Sequence, residues 1–200
     1  MQCALLEDQS EKFLPRDVVE GLITKDIIAD SLSFPAWLYS RLSDTLPSTA
    51  YSQARNVFAV LGLIGQEWAI RDLIYKDGIT DDDLPLDRRP GNKSASSILI
   101  SRKNGKTFSS FQTWTPAIVG AFLEKQWYVL APVLDTTGTD LKLDPRCPLP
   151  IQRSELKVQN HGVFVYQAWL HPAHLLSLGS LMVRHILIRK MTLQFSAAGS

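Results

Sequence analysis

The chain has 200 residues, 45% of them hydrophobic, and its formal net charge at pH 7 is +1. This apolar content is enough for a core and argues against a disordered chain, while the near-neutral charge argues against attraction to nucleic acid or anionic lipid. The sequence therefore favours proteins or a small ligand as binding partners.

Apolar side chains recur at helical spacing near the start of the chain. Residues 17–30 carry them every three or four positions, which predicts a first helix. Ser33 and Pro35 are residue types found at helix starts, so we expect a second helix there that Pro47 ends.

The densest helical pattern in the chain covers residues 52–76, and we expect it to supply the core. Gly62 and Gly65 lie near its middle, and because glycine weakens a helix interior we expect two helices rather than one. A further helix is predicted within residues 113–127, where Thr115 and Pro116 form a typical start.

A small β-hairpin is predicted over residues 97–111. Two short runs, 97–101 and 107–111, flank Asn104 and Gly105, and Asn-Gly is the strongest short hairpin signal. The preceding residues 86–97 contain proline, glycine and several serines, which indicates a flexible loop.

Prolines and a glycine exclude a single regular element over residues 131–151, so we expect a domain boundary near Leu149. Beyond it, β-prone runs around Gly162 predict a hairpin, and residues 181–193 fit a strand or a helix. The predicted fold is mainly α (α+β): a helical domain over 13–148 with one hairpin near 97–111, followed by two or three antiparallel strands within 149–200.

Several segments carry a family resemblance and follow one another in order along residues 13–174. They are Asn56-Val-Phe-Ala-Val-Leu61, Asp77-Gly-Ile-Thr-Asp-Asp-Asp-Leu-Pro-Leu86, Asn104-Gly-Lys-Thr-Phe108, Glu124-Lys-Gln-Trp127, Leu130-Ala-Pro-Val133, Cys147-Pro-Leu-Pro150 and Leu170-His-Pro-Ala-His174. Together they resemble the N-terminal region of fungal serine/threonine protein-kinase-like proteins. The resemblance implies a helical leading module and, after Pro150, the start of a kinase N-lobe.

The resemblance implies nucleotide-binding positions but no catalytic ones. Gly162 is the one glycine kept from a glycine-rich loop, and Val165 follows it. Arg189, or Lys190 if the register slips by one, stands where the phosphate-pairing lysine would be, and arginine is not a neutral replacement. The catalytic and metal-binding loops would lie further downstream, so ATP and Mg²⁺ are expected only if the kinase domain is completed.

Two polar clusters allow a functional and a structural interpretation. The three aspartates at residues 81–83 could hold a hard cation, but the other ligands of a calcium loop are missing, so a solvated turn or a helix cap is favoured. His171 and His174 alone leave a zinc shell unfilled, so a turn shaped by Pro172 is favoured.

Cys3 and Cys147 are the only cysteines, and their separation fits neither a disulfide framework nor a metal site. Arg146 could lower the pKa of the neighbouring Cys147 thiol, but the sequence shows no base for nucleophilic catalysis. The five tryptophans lie among aliphatic residues, which favours core packing over a base-stacking platform.

The leading hypothesis is a non-catalytic protein-interaction or regulatory module, and the alternative is the leading segment of a serine/threonine kinase. Residues 1–10 lack a basic segment followed by an apolar one, so no secretory signal is expected. Residues 175–188 are too short and too charged to span a membrane. We therefore expect a cytoplasmic chain with a protein partner and with neither nucleic acid nor membrane as a partner.

Overall fold

Helices form most of the first part of the chain, and a three-stranded sheet forms the last part. The computed structural model describes residues 13–32, 45–89, 98–134, 143–160, 163–176 and 185–191; the side chains of 159–160, 163–166 and 185–191 lie outside this description. The chain divides into two units: one is Leu14–Ala131, and the other contains Phe13 and the described residues from Pro132 onward. The predicted α+β class is confirmed.

Six α-helices lie within the described residues, all in the first unit. They are α1 (Arg16–Leu22), α2 (Lys25–Ser31), α3 (Thr45–Gln53), α4 (Arg55–Leu63), α5 (Ile70–Tyr75) and α6 (Pro116–Lys125). Helix α6 begins as predicted, with the Thr115 hydroxyl accepting a hydrogen bond from the N–H of Ile118 at 3.4 Å. A capping threonine followed by proline at the first helical position fixes this start.

The prediction of a single helix over residues 17–30 is wrong, because the chain breaks between α1 and α2. Thr24 has an extended backbone (φ −94°, ψ 165°), and its side chain accepts a hydrogen bond from the N–H of Ile27. The first N–H groups of a helix have no acceptor within the helix, and the Thr24 side chain accepts one of them. This capping favours a new helix start at this point and therefore two short helices.

Pro47 lies inside α3 rather than at the end of a helix, so this prediction is wrong. It is the third residue of α3, where an N–H group has no intrahelical acceptor. Proline therefore costs little in the first turn, although it would disrupt a helix interior. The predicted helix start at Ser33 and Pro35 lies outside the described residues.

The predicted break near Gly65 is confirmed. Helix α4 ends at Leu63, Gly65 has a φ of +65°, and a 3₁₀ turn, Glu67–Ala69, leads into α5. Glycine tolerates positive φ without the steric penalty of a Cβ atom, so it lets the chain turn between the two helices.

A small antiparallel sheet packs within the first unit. Its strands are β1 (Leu86–Arg88), β2 (Leu99–Ser101) and β3 (Thr107–Phe108), in that order. The turn between β2 and β3 contains Gly105 at a φ of +75°, which confirms the predicted hairpin. The predicted loop over 86–97 is wrong at its start, because β1 pairs with β2; residues 90–97 lie outside the described residues.

The core of the first unit surrounds α4, in which residues 57–61 are all buried. Apolar side chains from α2 to α6 and from the small sheet pack around it. Those with no exposed surface are Ile28, Ala50, Ala54, Val57, Val60, Leu61, Ile70, Leu73, Leu84, Leu86, Leu99, Phe108, Phe111, Val119 and Phe122.

The second unit is built on three antiparallel strands in chain order. They are β4 (Ile151–Asn160), β5 (Val163–Leu170) and β6 (His185–Met191), so the last of these predicted elements is a strand rather than a helix. One face of the sheet is buried through Ile151, Ala168 and Leu170, which pack against Leu134, Leu149 and Leu175.

The units divide earlier in the chain than the predicted boundary near Leu149. Leu134 forms a parallel bridge with Leu175, through hydrogen bonds from Leu134 N–H to His174 O and from Leu176 N–H to Leu134 O, both 2.8 Å. These bonds join the residues after Ala131 to the second unit.

Candidate functional site

The predicted nucleotide-binding positions fall on β5 and β6, except for Gly162, which lies outside the described residues. Val165 is directly opposite Arg189 in the antiparallel pairing, and Phe164 is opposite Lys190. The backbone pairing therefore places Arg189, and not Lys190, directly beside Val165.

The sheet has a partly exposed face where β5 pairs with β4. Gln167 and Trp169 on β5 are half-buried, whereas Ala168 between them is fully buried. Arg153 lies opposite Trp169, with its guanidinium carbon 5.0 Å from the centre of the indole ring. Of the two alternatives that the sequence left open, Arg189 is the one that pairs directly with Val165.

The most densely hydrogen-bonded polar segment lies elsewhere, in residues 77–83, which we call the acidic turn. Asp77 accepts hydrogen bonds from the N–H of Ser109 (3.2 Å), its hydroxyl (3.0 Å) and the N–H of Ser110 (2.9 Å). Asp77 therefore connects the end of α5 to the chain that follows β3.

Asp81 connects the acidic turn to the start of α4. Its two carboxylate oxygens accept the N–H groups of Asn56 and Val57, each at 3.0 Å. The residue before α4 is Ala54, which has no side-chain acceptor, so Asp81 supplies the cap from a distance. Burial raises the pKa of Asp81, against the lowering effect of these backbone donors and of the Arg55 charge.

Asp83 connects the acidic turn to the hairpin. Its carboxylate accepts the N–H of Thr80 at 2.9 Å and the side-chain amide of Asn104 at 2.8 Å, and it lies 3.4 Å from the Lys106 ammonium. Lys106 also donates to the carbonyl of Gly78. Burial alone would raise the pKa of Asp83, but these hydrogen bonds and the Lys106 charge hold it below its usual range.

The acidic turn therefore connects several elements of the first unit through hydrogen bonds. Asp81 caps a helix, one of the two roles that the sequence favours, although the sequence does not show which helix. Asp83 is buried rather than solvated, and of the three aspartates at 81–83 only Asp82 is exposed. Within the described ranges, no group of three or more His, Cys, Asp or Glu side chains could hold a metal ion.

Gln126 forms a second buried polar link, which the sequence analysis missed. Its side-chain oxygen accepts the N–H of Leu86 at 2.7 Å, and its nitrogen donates to the carbonyls of Leu86 at 2.9 Å and Leu123 at 3.1 Å. The amide has no exposed surface, and it completes the hydrogen bonding of β1 from the end of α6. Both Gln126 and the acidic turn lie in the segments that carry the family resemblance.

The histidines of the second unit shape a turn, as predicted. Residues Pro172–His174 form a 3₁₀ turn, in which His171 Nδ1 accepts from the N–H of Ala173 at 3.3 Å. His174 is buried, lies 3.1 Å through Nδ1 from the carbonyl of Pro132, and contacts the ring of Phe13 edge-on at 5.5 Å.

Arg146 does not activate Cys147, a possibility that the sequence analysis raised without favouring it. Burial, together with the negative charge of Asp144, raises the pKa of the Cys147 thiol. The Arg146 guanidinium forms an ion pair with Asp144 at 3.2 Å instead of activating the cysteine.

The exposed aromatic residues of the first unit form a distinct surface. Trp68 and Tyr75 are each 51% exposed, so core packing is not the role of Trp68. Between them, Arg71 is half-buried, whereas Ile70 and Leu73 on the opposite side of α5 are fully buried. Trp68 lies in the 3₁₀ turn Glu67–Ala69 that leads into α5, and Arg71 and Tyr75 lie on α5 itself; we call these three residues the aromatic face.

Comparison with known proteins finds no matching family model, no matching curated protein and no matching solved structure. No helix in the described part of the chain is long and apolar enough to cross a membrane.

Replacement of Asp83 by asparagine is expected to lower the free energy of unfolding by about 1–2 kcal/mol at neutral pH, because an amide cannot accept every hydrogen bond of the carboxylate. The folded pKa of Asp83 is depressed, so its contribution is present above the unfolded pKa of about 4 and is lost as pH falls through the lower folded value. Urea unfolding as a function of pH should show the two proteins converging below about pH 4. Asp82→Asn is the matched exposed control, and a constant difference at all pH values would contradict the assignment.

Proposed function

We propose that this chain is a non-catalytic protein-interaction or regulatory module of the cytoplasm and that the aromatic face binds its protein partner. The observation that carries the proposal is the presence of two half-exposed aromatic rings, Tyr75 on α5 and Trp68 in the 3₁₀ turn before it, beside the buried residues that anchor α5. Tryptophan, tyrosine and arginine are the residue types most enriched at interface hot spots, and all three occur here.

The aromatic face is held in place before any partner binds. Ile70 and Leu73 fix α5 against the core, and the Tyr75 hydroxyl lies 3.2 Å from the hydroxyl of Thr45 on α3. A partner that binds such a surface loses less side-chain and backbone entropy than one that must order a loop.

The test is affinity capture from an extract of the cells that express this chain, followed by titration of the captured protein. Trp68→Ala is expected to weaken binding by at least roughly tenfold, since hot-spot truncations cost about 2 kcal/mol or more. Leu22→Ala is the control, because Leu22 is also exposed (62%) but lies on α1. Equal loss from both substitutions, or none from Trp68→Ala, would contradict the proposed surface.

The alternative proposal is that the chain is the leading segment of a serine/threonine protein kinase, which binds ATP and Mg²⁺ once the kinase domain is complete. The observation that favours it is the consecutive antiparallel order of β4, β5 and β6, with Arg189 opposite Val165. In protein kinases, the phosphate-pairing lysine lies on the third strand, which is the place of β6 in this sheet.

A further inference from the structure

Strand β4 is an edge of its sheet within the described residues. It pairs with β5 on one side, and no described strand pairs with its other side. The residues on this edge are well exposed, with Leu156 at 44% and Val158 at 51%. An edge strand presents backbone N–H and C=O groups that can pair with another strand.

The charges of β4 alternate in sign along the strand. Arg153 is positive, Glu155 is negative and Lys157 is positive, and all three are exposed. Arg153 and Glu155 lie opposite Trp169 and Gln167, respectively, and so share the partly exposed face of the sheet. Within this pattern, the Arg153–Glu155 pair is self-complementary when the strand is reversed about Ser154, whereas reversal about Glu155 would place like charges opposite one another.

We propose that β4 binds the β4 strand of a second copy of this chain, in an antiparallel pair centred on Ser154. In this register, Arg153 of each copy lies opposite Glu155 of the other, so two unlike pairs form on one face. A two-fold axis through Ser154 makes the contact isologous and joins the two sheets into one.

The regular part of β4 determines this register. The pairing with β5 is irregular between Ile151 and Arg153 and again between Leu156 and Val158, which leaves residues 153–156 as the evenly paired run. Both opposed charges lie inside that run. Bulges and charges usually keep an edge from pairing indiscriminately. Here they restrict pairing to a strand with the same charge order.

Arg153 lies beside the proposed contact, with its guanidinium over the Trp169 ring of β5 at 5.0 Å. In the dimer it turns from this ring toward the free edge of β4 to meet the carboxylate of the second copy. Glu155 forms an ion pair with Lys157 at 2.8 Å, which keeps its carboxylate on the strand surface.

The test measures the mass of the purified full chain by sedimentation equilibrium over a range of concentrations. The wild-type protein is expected to approach twice the chain mass as concentration rises. Glu155→Arg and Arg153→Glu each place like charges opposite one another, and each is expected to weaken self-association by roughly tenfold or more. Glu20→Arg, on α1 of the other unit, is the control and should leave self-association unchanged.

Mixing the two variants shows whether each fails to dimerise because of charge repulsion or because it is misfolded. A Glu155→Arg chain carries two positive charges in the run and an Arg153→Glu chain carries two negative ones, so the mixture is expected to form a heterodimer. Recovery of dimer in the mixture would also show that both variants fold. A wild-type chain that stays monomeric at every concentration, variants that dimerise like wild type, or a mixture that stays monomeric would each overturn the proposal.

Discussion

Replacement of Phe122 by alanine is expected to lower the free energy of unfolding by about 3–5 kcal/mol. Phe122 has no exposed surface and lies on α6, with its ring centre 5.0 Å from that of Phe111 and 6.1 Å from that of Trp114. Both contacts are edge-on, so truncation removes favourable aromatic geometry as well as buried area and leaves a cavity.

Urea unfolding followed by fluorescence and by circular dichroism would measure this loss. The midpoint should fall while the dependence on urea concentration stays constant, as expected when stability changes but the exposed area does not. Leu22→Ala is the control for truncating an exposed apolar side chain, since Leu22 is 62% exposed, and it should cost clearly less stability than Phe122→Ala. A loss below about 1 kcal/mol for Phe122→Ala would mean that this three-ring cluster is not packed as described.

Replacement of Gln126 by leucine is expected to cost about 2–4 kcal/mol, although it adds apolar volume to the interior. Leucine fills a similar space, but it leaves the N–H and the carbonyl of Leu86 without their partner in a buried site. Each unpaired buried group carries a desolvation penalty of about 1–3 kcal/mol, which outweighs the gain from burying a methyl group.

Amide hydrogen exchange at Leu86 measures directly the loss of the hydrogen bond from its N–H group to Gln126. The N–H of Leu86 should exchange faster in Gln126→Leu by a factor that reflects the loss of its acceptor. Gln112→Leu is the matched control, because Gln112 is exposed in the 3₁₀ turn Ser110–Thr113. If both variants unfold at the same urea concentration as wild type, the buried link between α6 and β1 does not contribute to stability.

The parts of the fold that the sequence predicts correctly are those with a local cause. Gly65 breaks a dense helical pattern because it permits positive φ, and Thr115 with Pro116 marks a helix start by capping chemistry alone. The Asn104-Gly105 turn likewise specifies the β2–β3 hairpin from adjacent residues.

The incorrect predictions concern features that depend on residues distant in the sequence or on the exact position of a helix start. Proline fits both the end of a helix and the first turn of one. Only the position of the helix start, which the sequence does not give here, shows that Pro47 lies in a first turn. Strand β1 has three residues and forms because β2 lies beside it. No period can be read from so short a segment.

The polar links of the first unit were also beyond sequence reasoning. Asp81 caps a helix 25 residues earlier in the chain, and Gln126 bonds a strand 40 residues away. Spacing along the chain carries no information about such pairs. Nothing in the sequence singles out Gln126, because Glu124 and Lys125 directly before it are polar as well.

The nucleotide-binding positions remain a prediction, and what the structure adds is their register. The sequence could not choose between Arg189 and Lys190, since the alternation of faces depends on strand pairing. Arg189 pairs directly with Val165, so it is the first residue to change in a test of kinase chemistry.

Phosphoryl transfer by the purified chain tests the central proposal most directly. The chain would be incubated with labelled ATP, Mg²⁺ and a general protein substrate, beside an Arg189→Ala variant purified in the same way. We expect no label above background on the chain or on the substrate, and no difference between the two proteins. Label that increases with chain concentration and is lost in the Arg189→Ala variant would contradict a non-catalytic module.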